Sequence, residues 1–92
     1  MSFDISVTAR FHEVDRAGIL FFNTVFEYAH ICFEEMLAAA FGSFEGIYDR
    51  TTIGFPLVHA EASFKQMIRH GDKLTVQLRV DRLSERSITC RY

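Results

Sequence analysis

A chain of 92 residues with a net charge of −2, 49% apolar and 24% charged residues, fits one small globular domain (residues 1–92) and excludes a multi-domain machine. That charge gives no general attraction to nucleic acid or to an anionic membrane, so an anionic ligand must find a local cluster of Arg or Lys. The longest apolar runs, Ala17–Phe22 and Met36–Phe41, are too short to cross a bilayer, and Met1–Ser6 has no basic region followed by an apolar run, so a cytoplasmic protein without a secretory signal is expected.

Ten phenylalanines predict an aromatic, dense core. A domain this small buries a modest fraction of its surface, and association is one common remedy. Cys32 and Cys90 stand far apart with no metal-like or redox-like spacing, which reads as two free buried thiols, and no metal site is expected.

Phe3, Ile5, Val7, Ala9 and Phe11 alternate with Asp4, Ser6, Thr8, Arg10 and His12, the period of a strand with one buried and one wet face. From Phe22 the period changes. Phe22, Phe26, Ala29, Phe33, Met36 or Leu37, and Ala40 recur at three- or four-residue spacing, which predicts a helix with a broad apolar stripe. Asn23 is a candidate cap near its start and Gly42 closes it. A helix of about 18 residues would be roughly 27 Å long. A loop of mixed polarity is expected over 43–52. Val58, Ala60, Ala62 and Phe64 then alternate with His59, Glu61, Ser63 and Lys65, predicting a second strand. His70-Gly71-Asp72 supplies turn chemistry, and Leu74 to Asp81 alternates as a third strand. Ser84-Glu85-Arg86 turns the chain, and Ile88–Tyr92 begins a fourth strand at which the sequence stops. Strand, long helix, then antiparallel meander is an α+β layout, with the sheet laid around the helix so that both apolar faces are covered.

The run Val14-Asp15-Arg16-Ala17-Gly18-Ile19-Leu20-Phe21-Phe22-Asn23 is similar to the signature of the 4-hydroxybenzoyl-CoA thioesterase family, an Asp followed by a small-Gly-aliphatic-aromatic run. Phe55-Pro56-Leu57-Val58-His59-Ala60-Glu61-Ala62 and Gly71-Asp72 agree in order and spacing, and the Pro-Leu-Val-His-Ala-Glu string looks most like hydrolases of 1,4-dihydroxy-2-naphthoyl-CoA. The resemblance implies a hotdog fold, an antiparallel sheet wrapped around one long central helix. It further implies hydrolysis of an acyl- or aryl-CoA thioester without a cofactor, coenzyme A being part of the substrate. The partners it implies are copies of the same chain, in a homodimer or homotetramer with the site between protomers. Two departures stand out. Met67 occupies a position where the family usually carries Pro, and the family completes a larger sheet. The C-terminal strands therefore look truncated or supplied by another chain, since a half-finished sheet leaves a hazardous free edge.

Thioester hydrolysis needs a group that delivers water or attacks the carbonyl, and donors for the oxyanion that develops. Asp15 sits in a turn loosened by Gly18, just before a helix whose first N–H groups are unpaired and partially positive. The resemblance makes the Phe22 backbone N–H the oxyanion donor and Asp15 a general base toward water, or a nucleophile forming a transient mixed anhydride. The plain alternative is a carboxylate that only complements the helix dipole; the surrounding motif favours catalysis. Phe21, Phe22 and Phe26 read as core, with one ring available to line an aryl site. His12 reads as a surface residue or a group that tunes Asp15. His59 and Glu61 share a strand face as a solvated pair or as part of a pocket shared between protomers. Arg82 and Arg86, with Arg69 and Lys73, are candidates for the phosphates of coenzyme A or simply solvated turn charges. Glu34 and Glu35 lie well past the helix start and read as a solvated face. The rival readings are a non-catalytic acyl-binding or oligomerisation module, a hotdog hydratase, and a standalone structural domain.

Overall fold

Alternation at the N-terminus produces the expected strand, β1 (Ser2–Thr8), in a computed structural model that describes residues 2–43, 45 and 55–92. The helix is α1 (Phe22–Phe41), and it is followed by β2 (Lys73–Leu83) and β3 (Ile88–Arg91). The three strands form one antiparallel sheet in the order β1-β2-β3. Phe3 stands opposite Leu78, Ile5 opposite Val76 and Val7 opposite Leu74. This register puts the apolar members of both strands on one face, and a slip of one residue would expose them all. Between β2 and β3 the register shifts at Val80/Arg82, a bulge beside the Ser84–Ser87 turn.

Helix α1 ends as its sequence demands, with Gly42 left-handed at φ +88°. Its start differs from expectation. Asn23 lies inside the first turn, Phe21 occupies the cap position, and no side chain caps the end. The face toward the sheet also differs. The buried residues of α1 are Thr24, Tyr28 and Cys32, and the Cys32 thiol donates to the carbonyls of Phe3 (3.6 Å) and Val76 (3.7 Å). At 3.6 residues per turn this line lies about 140° around the helix from the Phe22–Phe26–Phe33 stripe. The helix thus has two apolar faces. The sheet covers the one with smaller and more polar residues, while Phe33 meets Phe55 edge-on at 5.8 Å.

The core is correspondingly not aromatic in the expected way. Ala9, Leu20, Tyr28, Cys32 and Leu78 are the buried hydrophobics, and no described phenylalanine is fully buried. Among the described residues, one helix on a three-stranded sheet offers a single buried seam, too narrow to enclose residues on both sides of α1. Both cysteines are free, Cys32 buried and Cys90 half-buried, and burial pushes both thiols up.

The second expected strand, over 58–65, is absent: residues 55–65 form no ladder and every residue from 55 to 67 is exposed, Val58 at 91%. Alternation fixes which way side chains point, whereas a strand exists only beside an edge that accepts its N–H and C=O groups. No such edge stands beside it among the described residues. The expected 43–52 loop falls largely outside the described residues.

Candidate active site

The segment leaving β1 is fixed before it reaches Asp15. Ala9 donates its N–H to the Asp72 carbonyl (2.9 Å) and accepts that of Gly71 (2.8 Å), and Ala9 is 1% exposed. The Arg69–Asp72 turn is closed by the Asp72 N–H on the Arg69 carbonyl (3.0 Å) and the Arg69 N–H on Asp72 Oδ2 (2.9 Å). A short 3-10 turn, Phe11–Glu13, then redirects the chain.

Residues 14–20 form a small closed loop. Val14 bridges Leu20, and the Asp15 N–H donates to the Ile19 carbonyl (2.8 Å). Asp15 Oδ1 accepts the N–H groups of Ala17 (2.9 Å) and Ile19 (3.1 Å), while the Gly18 N–H reaches the Asp15 carbonyl (2.9 Å). Gly18 has φ +78° with open space where a Cβ would stand, so its requirement is one of backbone conformation and not of room. The outer side of the loop is tied as well. Leu20 donates to the Ile68 carbonyl (2.8 Å), and His70 donates its backbone N–H to that of Gly18 (3.0 Å).

The entry to α1 follows directly. The Phe21 N–H donates to the Glu13 carbonyl (3.0 Å) and the Thr24 N–H to that of Phe21 (3.1 Å). Among the described residues, the Phe22 and Asn23 N–H groups have no hydrogen-bond partner. With no carboxylate in the first turn of α1, the positive end of the helix dipole is not locally neutralised. Asp15 and Phe21 line one open groove of about 450 Å³ together with Phe11, His12, Val14 and Arg16. Asp15 is exposed there, and its Oδ2 has no protein partner among the described residues.

The arrangement therefore offers an ionisable oxygen on a loop whose backbone is bonded at both ends, and that loop leads directly into a helix start with two unpaired amide donors. Such a set can deliver water to an electrophilic carbonyl and hold the charge that develops on its oxygen.

Other candidates fall elsewhere. His12 and Arg16 border the groove with exposed side chains. His59 pairs with Glu61 at 3.3 Å on the exposed 55–67 run. Arg82 lies at the far end of β2, roughly 30 Å from Lys73 at the loop end of that strand, and Arg86 lies in the turn beyond it. The structure does not bring either arginine to Asp15 within one chain. Arg69 and Lys73 flank the turn that the Asp15 loop rests on, and Glu34 and Glu35 are exposed on α1.

Two residues were not visible as site components in the sequence. Tyr28, 5% exposed, donates its hydroxyl to Glu13 Oε1 at 2.7 Å, and the Arg10 N–H reaches the same oxygen at 2.9 Å. Burial is the largest influence on Glu13 and acts to raise its pKa, but the bonds from Tyr28 and Arg10 and the charges of His12 and Arg10 together outweigh it and hold the carboxyl below its usual 4.5. Burial first, and then the bond to Glu13, push the Tyr28 hydroxyl well above the usual range. The second is His70, whose ring stands edge-on to Phe11 at 5.7 Å. The available signal for Tyr28 was the Thr24–Tyr28–Cys32 spacing, one residue every helical turn, which the more numerous phenylalanines obscured.

Comparison with known proteins bears on this geometry. Residues 9–92 match the family model of the thioesterase-like superfamily. A 1,4-dihydroxy-2-naphthoyl-CoA hydrolase of Nostoc punctiforme is 35% identical over 78 residues, covering 85% of this chain and 53% of the relative. A protein of the same name from a Synechococcus strain is 36% identical over 90 residues, covering 90% and 59%. The chain thus spans little more than half the length of these curated relatives. A crystal structure of a 1,4-dihydroxy-2-naphthoyl-CoA thioesterase from Synechocystis superposes with a TM-score of 0.74 at 26% identity, covering 91% of this chain and 61% of that one. The hotdog architecture expected from the sequence is the architecture of this chain, one long helix packed on an antiparallel sheet. By the match over residues 9–92, the chain belongs to the thioesterase-like superfamily.

Proposed function

We propose that this protein hydrolyses an acyl- or aryl-CoA thioester at the groove between the Asp15 loop and the start of α1. The observation that carries the proposal is an Asp15 carboxylate with one oxygen unengaged, on a groove it shares with Phe21, the cap residue of a helix whose Phe22 and Asn23 amides are unpaired. In the general-base route Asp15 Oδ2 takes a proton from water, the hydroxyl oxygen bonds to the thioester carbon, and the Phe22 N–H binds the resulting oxyanion. Collapse breaks the C–S bond, and the coenzyme A thiolate leaves and is protonated. In the nucleophilic route the same oxygen bonds first to the carbonyl carbon, the C–S bond breaks, and the coenzyme A thiolate leaves and is protonated. Water then cleaves the mixed anhydride to free the acid and restore the Asp15 carboxylate. Gly18 supports either route by allowing the loop to close with Asp15 facing the groove.

The exposed rings of Phe11 and Phe21 at the groove favour an aromatic acyl group, in line with the names of the relatives. Assembly into a homodimer or homotetramer is part of the proposal. Leu57, Val58, Phe64 and Met67 expose their side chains together on one run, and large exposed apolar patches mark contact surfaces. Contacts of His59, Arg82 and Arg86 with the coenzyme would then come from a second copy. No described helix is long and apolar enough to cross a membrane.

A non-catalytic acyl-binding or oligomerisation module is the second reading. It is favoured by Asp15 Oδ1, which accepts two backbone N–H groups as a purely loop-closing carboxylate would. Thiol release from a panel of aryl- and acyl-CoA esters by the wild type and by Asp15→Asn separates the two. Turnover that disappears in the variant supports hydrolysis, and no turnover in either supports the module.

A further inference from the structure

Glu13 is where the loop carrying Asp15 and the helix carrying the unpaired amides meet twice. Its carbonyl accepts the Phe21 N–H at 3.0 Å, the last amide before α1. Its Oε1 accepts the Tyr28 hydroxyl at 2.7 Å, projected from the second turn of the same helix. The Arg10 N–H at 2.9 Å shares that oxygen, and the Glu13 N–H returns to the Arg10 carbonyl at 2.9 Å. Two attachments at different heights along α1 fix both the level and the rotation of the helix start against the loop. Tyr28 is buried as a residue, and its hydroxyl is committed to the carboxylate at the floor of a pocket that Arg10, Glu13 and Tyr28 line together. A ring needed only to fill the core could be phenylalanine; here a hydroxyl meets a carboxylate in a short, charge-assisted bond.

We propose that Glu13 and Tyr28 form a positioning clasp that sets the Phe22 amide relative to the Asp15 carboxylate and thereby governs turnover without touching substrate. The clasp rests on the thioesterase reading of the Asp15 loop. With Glu13 held below the usual carboxyl value and Tyr28 above the usual phenol value, it keeps one ionised and one protonated partner throughout the neutral range.

The test uses the full chain with Tyr28→Phe, Glu13→Ala, Glu13→Gln and the Tyr28→Phe/Glu13→Ala double variant, reading thiol release and amide hydrogen exchange. Tyr28→Phe and Glu13→Ala are expected to lower kcat about tenfold, since small misplacements at a reacting centre are costly. KM should move less than about twofold, because the clasp makes no substrate contact. The double variant should be within about twofold of the slower single one, as expected for two halves of one device. Glu13→Gln keeps an acceptor oxygen and should recover most of kcat. Exchange at the Phe21 amide should accelerate in Tyr28→Phe and Glu13→Ala but not in Glu13→Gln. A folded Tyr28→Phe variant with unchanged kcat, or single effects that multiply in the double variant, overturns the clasp. Should Tyr28→Phe fail to fold, Glu13→Ala against Glu13→Gln carries the same decision. If the wild type and Asp15→Asn are equally inactive, the thioesterase reading fails separately. Unchanged Phe21 exchange in Tyr28→Phe then overturns the clasp as well, and accelerated exchange upholds its positioning of the loop.

Discussion

The loop from Val14 to Leu20 is tied on both sides, through its own backbone and side-chain bonds and through Ile68 and His70 beyond them. The run from 55 to 67 has no ladder partner, and its large apolar side chains face outward. Both carry apolar residues and turn formers, so composition does not explain the difference. What separates them is where the backbone hydrogen bonds go. The amides of Asp15, Ala17, Gly18, Ile19, Leu20 and Phe21 are engaged, whereas those of Phe22 and Asn23 stand unpaired at the helix end where the proposed oxyanion would bind. The hydrogen-bonded loop is thus the part proposed to do chemistry, and the open run is the one proposed to meet another copy.

The contrast is most directly broken by removing the apolar anchor of the fixed loop. Leu20 is 8% exposed, and Leu20→Ala should destabilise the fold by about 2–4 kcal/mol, measured by denaturant unfolding. The next largest effect is expected at Gly18, whose φ of +78° disfavours any Cβ although none would clash; Gly18→Ala should cost about 1 kcal/mol in the same measurement. At the other extreme, Val58→Ala in the open run should shift unfolding at low protein concentration by no more than about 0.5 kcal/mol. A larger, concentration-dependent shift would instead identify Val58 as a contact between copies.

Acid titration sharpens the same comparison. The folded state holds the Glu13 carboxyl below its usual 4.5, so folding binds fewer protons there than the unfolded chain does. The stability Glu13 contributes is complete above pH 4.5 and is lost as the pH falls through its folded value. Unfolding curves against pH should therefore show an acid limb that flattens in Glu13→Gln. His59–Glu61, fully on the surface, should add little to that limb.

Much of this was legible in the residues. Strict alternation located β1 and β2, and the change of period at Phe22 located α1 and its glycine stop. The Asp15–Gly18 motif identified the loop that the structure closes. Three features were not legible, each for a physical reason. Phe22, Phe26 and Phe33 dominate any hydrophobic periodicity, yet the sheet packs on Thr24, Tyr28 and Cys32, because close approach of helix and sheet suits smaller side chains and one bonded hydroxyl. Val58 to Lys65 alternates as a strand should, but pairing belongs to the neighbouring edge and not to the segment. Tyr28 and Glu13 meet only once the 3-10 turn folds the chain back on α1, a contact that no local pattern encodes.

The central claim is that the Asp15 carboxylate and the start of α1 act together on a thioester carbonyl. Its most direct measurement is steady-state thiol release from aryl-CoA esters by the wild type and Asp15→Asn, with folding checked by circular dichroism. The account predicts turnover in the wild type and a loss of about a thousandfold or more in the variant, in keeping with removal of a general base or nucleophile. Equal rates from two folded proteins would contradict it.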